Sequence, residues 1–386
     1  MGLGFLESPE IVPNRPRPMG FVSRVTVSVC HSERALLLKL IFPMYPTIAK
    51  MSHFDDEKFK QLQLKVKFNV IPKTRLKKFG KLFDGYPTGL VKSEPGGFVM
   101  PPTYGENAEK IYRMKPRTDD VWLLTFPKCG TTWTSELLWL LKNDCNFETA
   151  AKIQLHSRAP FLEMPYLSAV SGPMKNFLMT VDKVEKLPSP RVIRPHLPFY
   201  LLPPELLDTT KVVYVARNPK DVIVSYYFHH KLIKVHGYTG TLDEFAEFFI
   251  NDEVVYAPFF PHILDAWSKR HHPNMHFMFY EDMKKDLRGE IEKVATFLGK
   301  SYSDEQLGKL TEHLKFENFQ KNESVNSESG KKFGAMNEDG RFIRNGKTGD
   351  WKNHFSPELN SRIDEWIEKN LAGTDLKFVT ELEHQD

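Results

Sequence analysis

The chain predicts an α/β fold: a central parallel sheet with helices on both faces. Three segments carry that expectation. Residues 121–126 are uncharged and of high β-propensity, and they run through a short loop into a helix-like stretch with Trp133, Leu137, Leu138 and Leu141. Residues 211–216 repeat the pattern and feed a stretch where Asn218 can cap a helix and Pro219 can occupy its first position. Residues 276–280 form a third apolar run, again followed by helical patterning. Strands alternating with helices at this spacing form a parallel sheet that must be covered on both sides.

Taken in order, residues 1–50 carry Arg15, Arg17, Arg24 and Arg34 among scattered Pro and Ser and hold no sustained period. They read as a disordered extension, a transit-like presequence, or sequence upstream of the natural start at Met51, with extension or upstream sequence favoured over targeting. Residues 51–386 read as a single domain, since α/β folds of this length are often undivided. A basic run at 58–81, including Lys73, Arg75, Lys77, Lys78 and Lys81, is either a solvated face or an entrance for an anion. Residues 84–104, rich in Gly and Pro, read as loop.

After the first helix, 147–188 lacks a period and reads as a binding loop or as a loop packed on the core. A short strand is expected over 191–198. Helices follow at 238–251, 261–271, 281–298 and 304–313, then a polar loop at 317–346 and an amphipathic helix at 357–371 with Ile363, Trp366, Ile367 and Leu371 on one face. No internal repeat is found.

Composition excludes several classes. A formal charge of +4, evenly spread, does not suit a nucleic-acid binder. Cys30, Cys129 and Cys145 have no metal-ligand spacing and fit a reducing, cytoplasmic setting. No stretch reaches the ~18 uncharged apolar residues of a membrane span.

The chemistry gathers at strand ends, where ligands of open α/β sheets bind. Pro127-Lys-Cys-Gly-Thr-Thr-Trp133 is a tight turn into a helix, whose unpaired N–H groups make an anion cradle. Lys128 precedes Gly130, and no Gly-x-x-x-x-Gly-Lys sequence occurs, so this is not the common nucleotide-triphosphatase loop. His196 follows the next strand, either as a structural histidine or as a general base. Arg217 follows another and offers a fork suited to phosphate or a surface salt bridge, and Ser225 lies two helical turns on. Tyr280 ends the last strand.

The cradle resembles the Pro-Lys-Ser-Gly-Thr-Thr-Trp loop of the sulfotransferases that use 3′-phosphoadenosine 5′-phosphosulfate (PAPS). The motif 217–227, Arg-Asn-Pro-Lys-Asp-Val-Ile-Val-Ser-Tyr-Tyr, and the motif 344–352, Arg-Asn-Gly-Lys-Thr-Gly-Asp-Trp-Lys, resemble that family's two further signatures in order. Motifs at 236–241 and 322–326 resemble its insect branch, which includes retinol dehydratase. The resemblance covers residue 83 to the C-terminus. It implies a P-loop-like 5′-phosphosulfate-binding loop of Lys128, Cys129, Gly130, Thr131, Thr132 and Trp133. It implies a 3′-phosphate site of Arg217, Ser225, Arg344, Asn345 and Gly346, and an adenine site of Trp133, Tyr280, Leu314 and Phe316. The catalytic set would be His196, Lys128 and Arg194, with no metal. Arg194 and Pro195 stand where the family has Lys and Thr, and Asn345 replaces a lysine.

What is expected is sulfuryl transfer to a hydroxyl of a small, largely apolar acceptor such as a phenol, sterol or retinoid. The alternatives are a P-loop phosphotransferase, which would need Ser or Thr after the lysine, and a non-catalytic binder of sulfated or phosphorylated ligands. The family's dimer motif, Lys-x-x-x-Thr-Val-x-x-x-Glu, is degraded here at Pro357 and Ser361. A monomer or weak homodimer is therefore expected.

Overall fold

Successive residues of the central strands alternate between two buried faces, as period-2 geometry requires. Trp122, Leu124, Val212, Tyr214 and Ala216 enter one apolar core, while Val121, Leu123, Val213, Val215 and Met278 enter the other. Burial on both faces explains why these strands read as unbroken apolar runs. The computed structural model describes residues 64–382 except 73, 75, 168–177 and 333. The expected N-terminal extension, the start at Met51, Cys30, Lys73 and Arg75 lie outside them.

The described chain begins with β1 (Lys67–Val70), β2 (Val91–Glu94) and β3 (Val99–Met100), an antiparallel sheet in the order β1-β2-β3. This corrects the loop expected at 84–104. β2 alternates buried and exposed over only four residues between Gly- and Pro-rich flanks, too short for a sequence period.

The second sheet holds β4 (Val121–Thr125), β5 (Val192–Ile193), β6 (Lys211–Ala216) and β7 (Met275–Phe279) in the order β5-β4-β6-β7, all parallel. β4 leads into α1 (Thr131–Lys142). β6 leads into α2 (Pro219–Leu232), followed by α3 (Leu242–Ile250) and α4 (Phe259–Ser268). β7 leads into α5 (Tyr280–Lys285), α6 (Leu287–Phe297), α7 (Asp304–Leu314) and α8 (Phe316–Lys321), and α9 (Pro357–Leu371) closes the chain. Helices α1, α6 and α7 cover one face of the sheet; α2, α3, α4 and α9 cover the other.

Several boundaries differ from expectation for local reasons. The strand expected over 191–198 stops at Ile193, because Arg194 instead donates its N–H to the Pro160 carbonyl (3.1 Å) and bridges to Phe161. The helix expected from 238 starts at Leu242, where Thr241 and Glu244 form a reciprocal capping box. The one at 261–271 is shifted to begin after Pro258. The helix expected over 281–298 is two, split at Asp286, whose carboxylate caps Gly289 N–H (2.9 Å). The loop at 317–346 contains α8 and a further turn, Ser329–Lys332. Asn218 caps α2 as expected, its side chain accepting from Lys220 N–H (2.9 Å). No helix among the described residues is long and apolar enough to cross a membrane.

The strand order fixes where a ligand can sit. The chain leaves β4 toward β5 and leaves β6 in the opposite direction toward β7, so the crevice between the ends of β4 and β6 is the topological switch point.

Candidate active site

The loop after β4 is shaped by backbone conformation more than by side chains. Lys128 (φ 71°) and Gly130 (φ 100°) both lie in the left-handed region, which turns successive N–H groups inward. Gly130 is required there: a Cβ would meet Tyr280 at 2.8 Å. It also stands at the N-cap of α1, with no side chain capping the helix. The N–H groups of Thr131, Thr132 and Trp133 therefore have no intrahelical acceptor, and the helix dipole adds partial positive charge.

Positive side chains gather around this nest. The partly buried Lys128 ammonium sits over the Phe342 ring, 4.8 Å from its centroid. Burial, and then the charges of Arg217 and Arg344, press its pKa down to about 8. Arg217 follows β6 at the switch point; it donates to the carbonyls of Lys128 (3.1 Å) and Lys347 (3.0 Å), and its Nε is buried without a partner. Its guanidinium lies 4.3 Å from the Tyr280 ring centroid. Arg344 is paired with Asp350 and stacks 4.5 Å over Phe228 of α2. Three cations held this close in a nest of N–H groups form a site for an anion of more than one charge.

A second part of the site is apolar. Trp133 donates its indole N–H to the Leu314 carbonyl (2.8 Å) and meets Tyr280 edge-on, with centroids 5.6 Å apart. Tyr280 donates to the Gly346 carbonyl (3.1 Å), and Gly346 passes so close to Phe316 that a Cβ would lie 2.4 Å from its ring. Trp133, Tyr280, Leu314, Phe316 and Gly346 are thus brought together. Leu314 contributes only its carbonyl there, because its side chain is sealed in the core. Asn345 is one residue from this group, its Oδ1 accepting weakly from Lys347 N–H (3.4 Å). Ser225 lies on α2 one turn before Phe228 and His229.

His196 is on the neighbouring part of the rim. Its Nδ1 is 2.8 Å from the Thr125 carbonyl, which can only accept, so Nδ1 carries the proton and Nε2 keeps its lone pair. Thr125 Oγ1 is 3.0 Å from the same Nδ1 and 2.7 Å from Thr131 Oγ1, which links the imidazole to the first turn of α1. Burial, joined by the charges of Arg194, His262 and Lys128, lowers the His196 pKa to about 3, so the ring is neutral at working pH. Phe161 and Tyr256 flank it edge-on at 4.8 and 5.3 Å. Arg194 is held at Nε by the Ala159 carbonyl (2.8 Å), and burial brings its pKa down to about 10.

Cys129 is fully buried, and burial pushes its thiol pKa up. It cannot play the metal-ligating hydroxyl of a nucleotide triphosphatase.

Sequence reasoning missed several residues that shape this site. Glu163 is buried and accepts the His196 backbone N–H (2.5 Å); Pro195 has no N–H to offer beside it. His262 Nε2 lies 3.1 Å from the His196 carbonyl. Asp221 accepts from Gly349 N–H (2.7 Å) and Trp351 N–H (3.2 Å) and so docks the 344–351 segment against α2. Glu281 caps Asn218 N–H (2.9 Å). The one available signal was their charge in otherwise apolar surroundings, as in Phe161-Leu-Glu-Met164.

The known proteins that this chain is similar to agree with that geometry. The family model described as "Sulfotransferase domain" matches residues 118–375. Sulfotransferase 1C2 of Rattus norvegicus is 36% identical over 290 residues, covering 75% of this chain and 95% of its own. Rattus norvegicus sulfotransferase 1A1 is 37% identical over 265 residues, covering 68% and 88%. Among solved structures, retinol dehydratase in a complex with retinol and PAP aligns with a TM-score of 0.77 at 34% identity, over 82% of this chain and 99% of its own. Mouse sulfotransferase SULT7A1 complexed with PAP aligns with a TM-score of 0.57 at 25% identity, over 74% and 95%. With the family model spanning both strand ends of the switch point and the last signature, the chain belongs to the PAPS-dependent sulfotransferase family and is a sulfotransferase.

Proposed function

We propose that this sulfotransferase acts on a hydroxyl of a small, largely apolar acceptor, a phenol, sterol or retinoid-like molecule, with His196 as the general base. The observation that carries this reading is the pinned imidazole: Nδ1–H is held by the Thr125 carbonyl, which leaves Nε2 as the proton acceptor beside the cation cluster. Retinol dehydratase has been solved with androsterone and with retinol, each beside PAP, which supports an acceptor of that kind.

The residues present fit the donor. A nest with three cations and an uncapped helix suits its phosphosulfate and 3′-phosphate, and the Trp133, Tyr280 and Phe316 rings suit its base. When bound, PAPS supplies the sulfuryl group. In this reading Lys128, Cys129 and the N–H groups of Gly130 to Trp133 hold the 5′ end, the Cys129 N–H itself being turned to the Phe126 carbonyl (3.3 Å). Arg217, Ser225, Arg344, Asn345 and Gly346 hold the 3′-phosphate, and Trp133, Tyr280, Leu314 and Phe316 the adenine. His196 Nε2 takes the acceptor proton. Lys128 and Arg194 stabilise the negative charge that develops at the transferring end. Glu163 and Thr125 position His196, and the Phe161 and Tyr256 rings keep water from it.

Purified protein assayed with PAPS against phenols, sterols and retinoids tests the acceptor class; turnover confined to charged or sugar acceptors would contradict it. Lys128 gives a pH signature of its own. It is charged below about pH 8 and neutral above, so PAP affinity is expected to fall as pH rises through about 8. Calorimetric titration across that pH checks this, and Lys128→Met should flatten the fall. Affinity that rises through the same range would exclude a charge role.

Assembly follows from the degraded dimer motif. Lys352 pairs with Glu381 of its own chain (2.5 Å), and Pro357 occupies the first turn of α9, where it offers no N–H. A monomer at low micromolar concentration is expected by light scattering. A dimer that Lys352→Glu dissolves would show that the motif still works.

A further inference from the structure

Beside the transfer site α2 carries two consecutive histidines, His229 and His230, and His236 follows in the next loop. His230 and His236 pack ring on ring with centroids 4.1 Å apart, and His229 meets His236 at 5.2 Å. Each of the two inner rings finds a partner within the fold. His230 Nδ1 lies 2.9 Å from the Tyr226 carbonyl, and His236 Nδ1 lies 2.5 Å from the Tyr86 hydroxyl.

His229 differs in that no side-chain hydrogen bond to a described residue holds either ring nitrogen; its Nδ1, like His230 Nε2, is buried without a partner. Burial, and then the charges of Lys128, His236, His230 and His196, drive its pKa well below the usual imidazole range, so it is neutral. A neutral imidazole has one N–H to donate and one lone pair to receive, and leaving a buried one of them unmade is costly.

Its position says where a partner would come from. Ser225 and His229 are four residues apart and share a face of α2. The His229 ring packs 5.8 Å from Phe342, the same ring that carries the Lys128 ammonium. Although deep in the molecule, His229 is only partly buried, as are Lys128, His196, Phe161 and Phe342. Side chains that are deep yet accessible line an internal hollow. Phe161 and Phe342 give this one aromatic walls, and besides His196, the general base, His229 is the neutral polar side chain among them.

From this geometry we infer that His229 is a hydrogen-bonding specificity residue for the acceptor, and that preferred acceptors carry a second oxygen, hydroxyl or carbonyl, besides the hydroxyl that receives the sulfuryl group. The inference rests on the acceptor reading above. An acceptor without that oxygen fills the hollow but leaves the imidazole unpaired, and a site built around a hydrogen bond discriminates strongly against such analogues.

The test measures binding to the full chain saturated with PAP, by calorimetry, for two matched pairs: 4-methylcatechol against 4-methylphenol, and estradiol against its analogue lacking the 17-hydroxyl. In at least one pair the compound with the second oxygen is expected to bind roughly tenfold tighter or more. His229→Phe should erase that preference, and His229→Gln, which keeps a donor and an acceptor, should retain most of it. Equal affinities within both pairs for the wild type overturn the inference, as does a preference that persists in folded His229→Phe. If His229→Phe does not fold, the wild-type pairs and His229→Gln still decide. Because binding is read without turnover, failure of the proposed reaction would show as bound acceptor that is never sulfated, a separate result.

Discussion

His196→Ala is expected to slow sulfuryl transfer by ~10²–10⁴-fold, the usual range for loss of a general base, with PAP affinity nearly unchanged. The separation follows from where the imidazole is tied. It is held by Thr125 and flanked by Phe161 and Tyr256, and none of its ring contacts is to Arg217, Arg344 or Tyr280. Its one link toward the cradle runs through Thr125 Oγ1 to Thr131 Oγ1, and that hydroxyl pair can persist without it. The pH profile sharpens the test: with a pKa of about 3 in the free protein, the base form is present throughout the neutral range. No acidic limb near the ordinary histidine pKa is expected in kcat/KM. Retention of more than a tenth of the wild-type rate by His196→Ala would end the assignment.

Arg217→Ala is expected to weaken PAP binding by roughly a hundredfold or more, because truncating one partner of a buried, hydrogen-bonded charge pair costs on the order of 2–5 kcal/mol. Two effects combine in it. The guanidinium is the central cation at the switch point, and it also bridges the Lys128 and Lys347 carbonyls, pinning the cradle to the 344–351 segment. Adenosine 5′-phosphosulfate, which lacks the 3′-phosphate, separates them. If Arg217 binds that phosphate, wild type and variant differ far less for this analogue than for PAPS. Equal losses for both donors would mean that the arginine only anchors the backbone.

How much was legible depended on whether a feature was local. β4 and β6 are apolar on both faces and announce themselves as continuous runs, and Asn218 and Pro219 mark the start of α2. The cradle, His196, Arg217 and Tyr280 were visible because each closes a strand, so sequence position alone put them on one rim. β5 was overlong in expectation because residues 160–162, more than thirty positions earlier, take over its pairing after Ile193. Glu163, Asp221 and His262 were invisible for the same reason. Their partners lie 33, 128 and 66 residues away, and nothing in a short window marks a carboxylate that will cap a distant backbone N–H. The sequence pattern at His229 was equally mute: a histidine pair in a helix says nothing until one ring is found without a partner.

The central claim, sulfuryl transfer to an acceptor hydroxyl with His196 as base, is tested most directly by a single-turnover experiment with ³⁵S-labelled PAPS, excess enzyme and a sterol or phenol acceptor. Wild-type protein should move the label to the acceptor oxygen in one exponential phase, and His196→Ala, loaded with donor to the same extent, should leave it on the nucleotide. Label that stays on the nucleotide in the wild type with every acceptor tried, or that moves at the same rate in both proteins, would contradict the account.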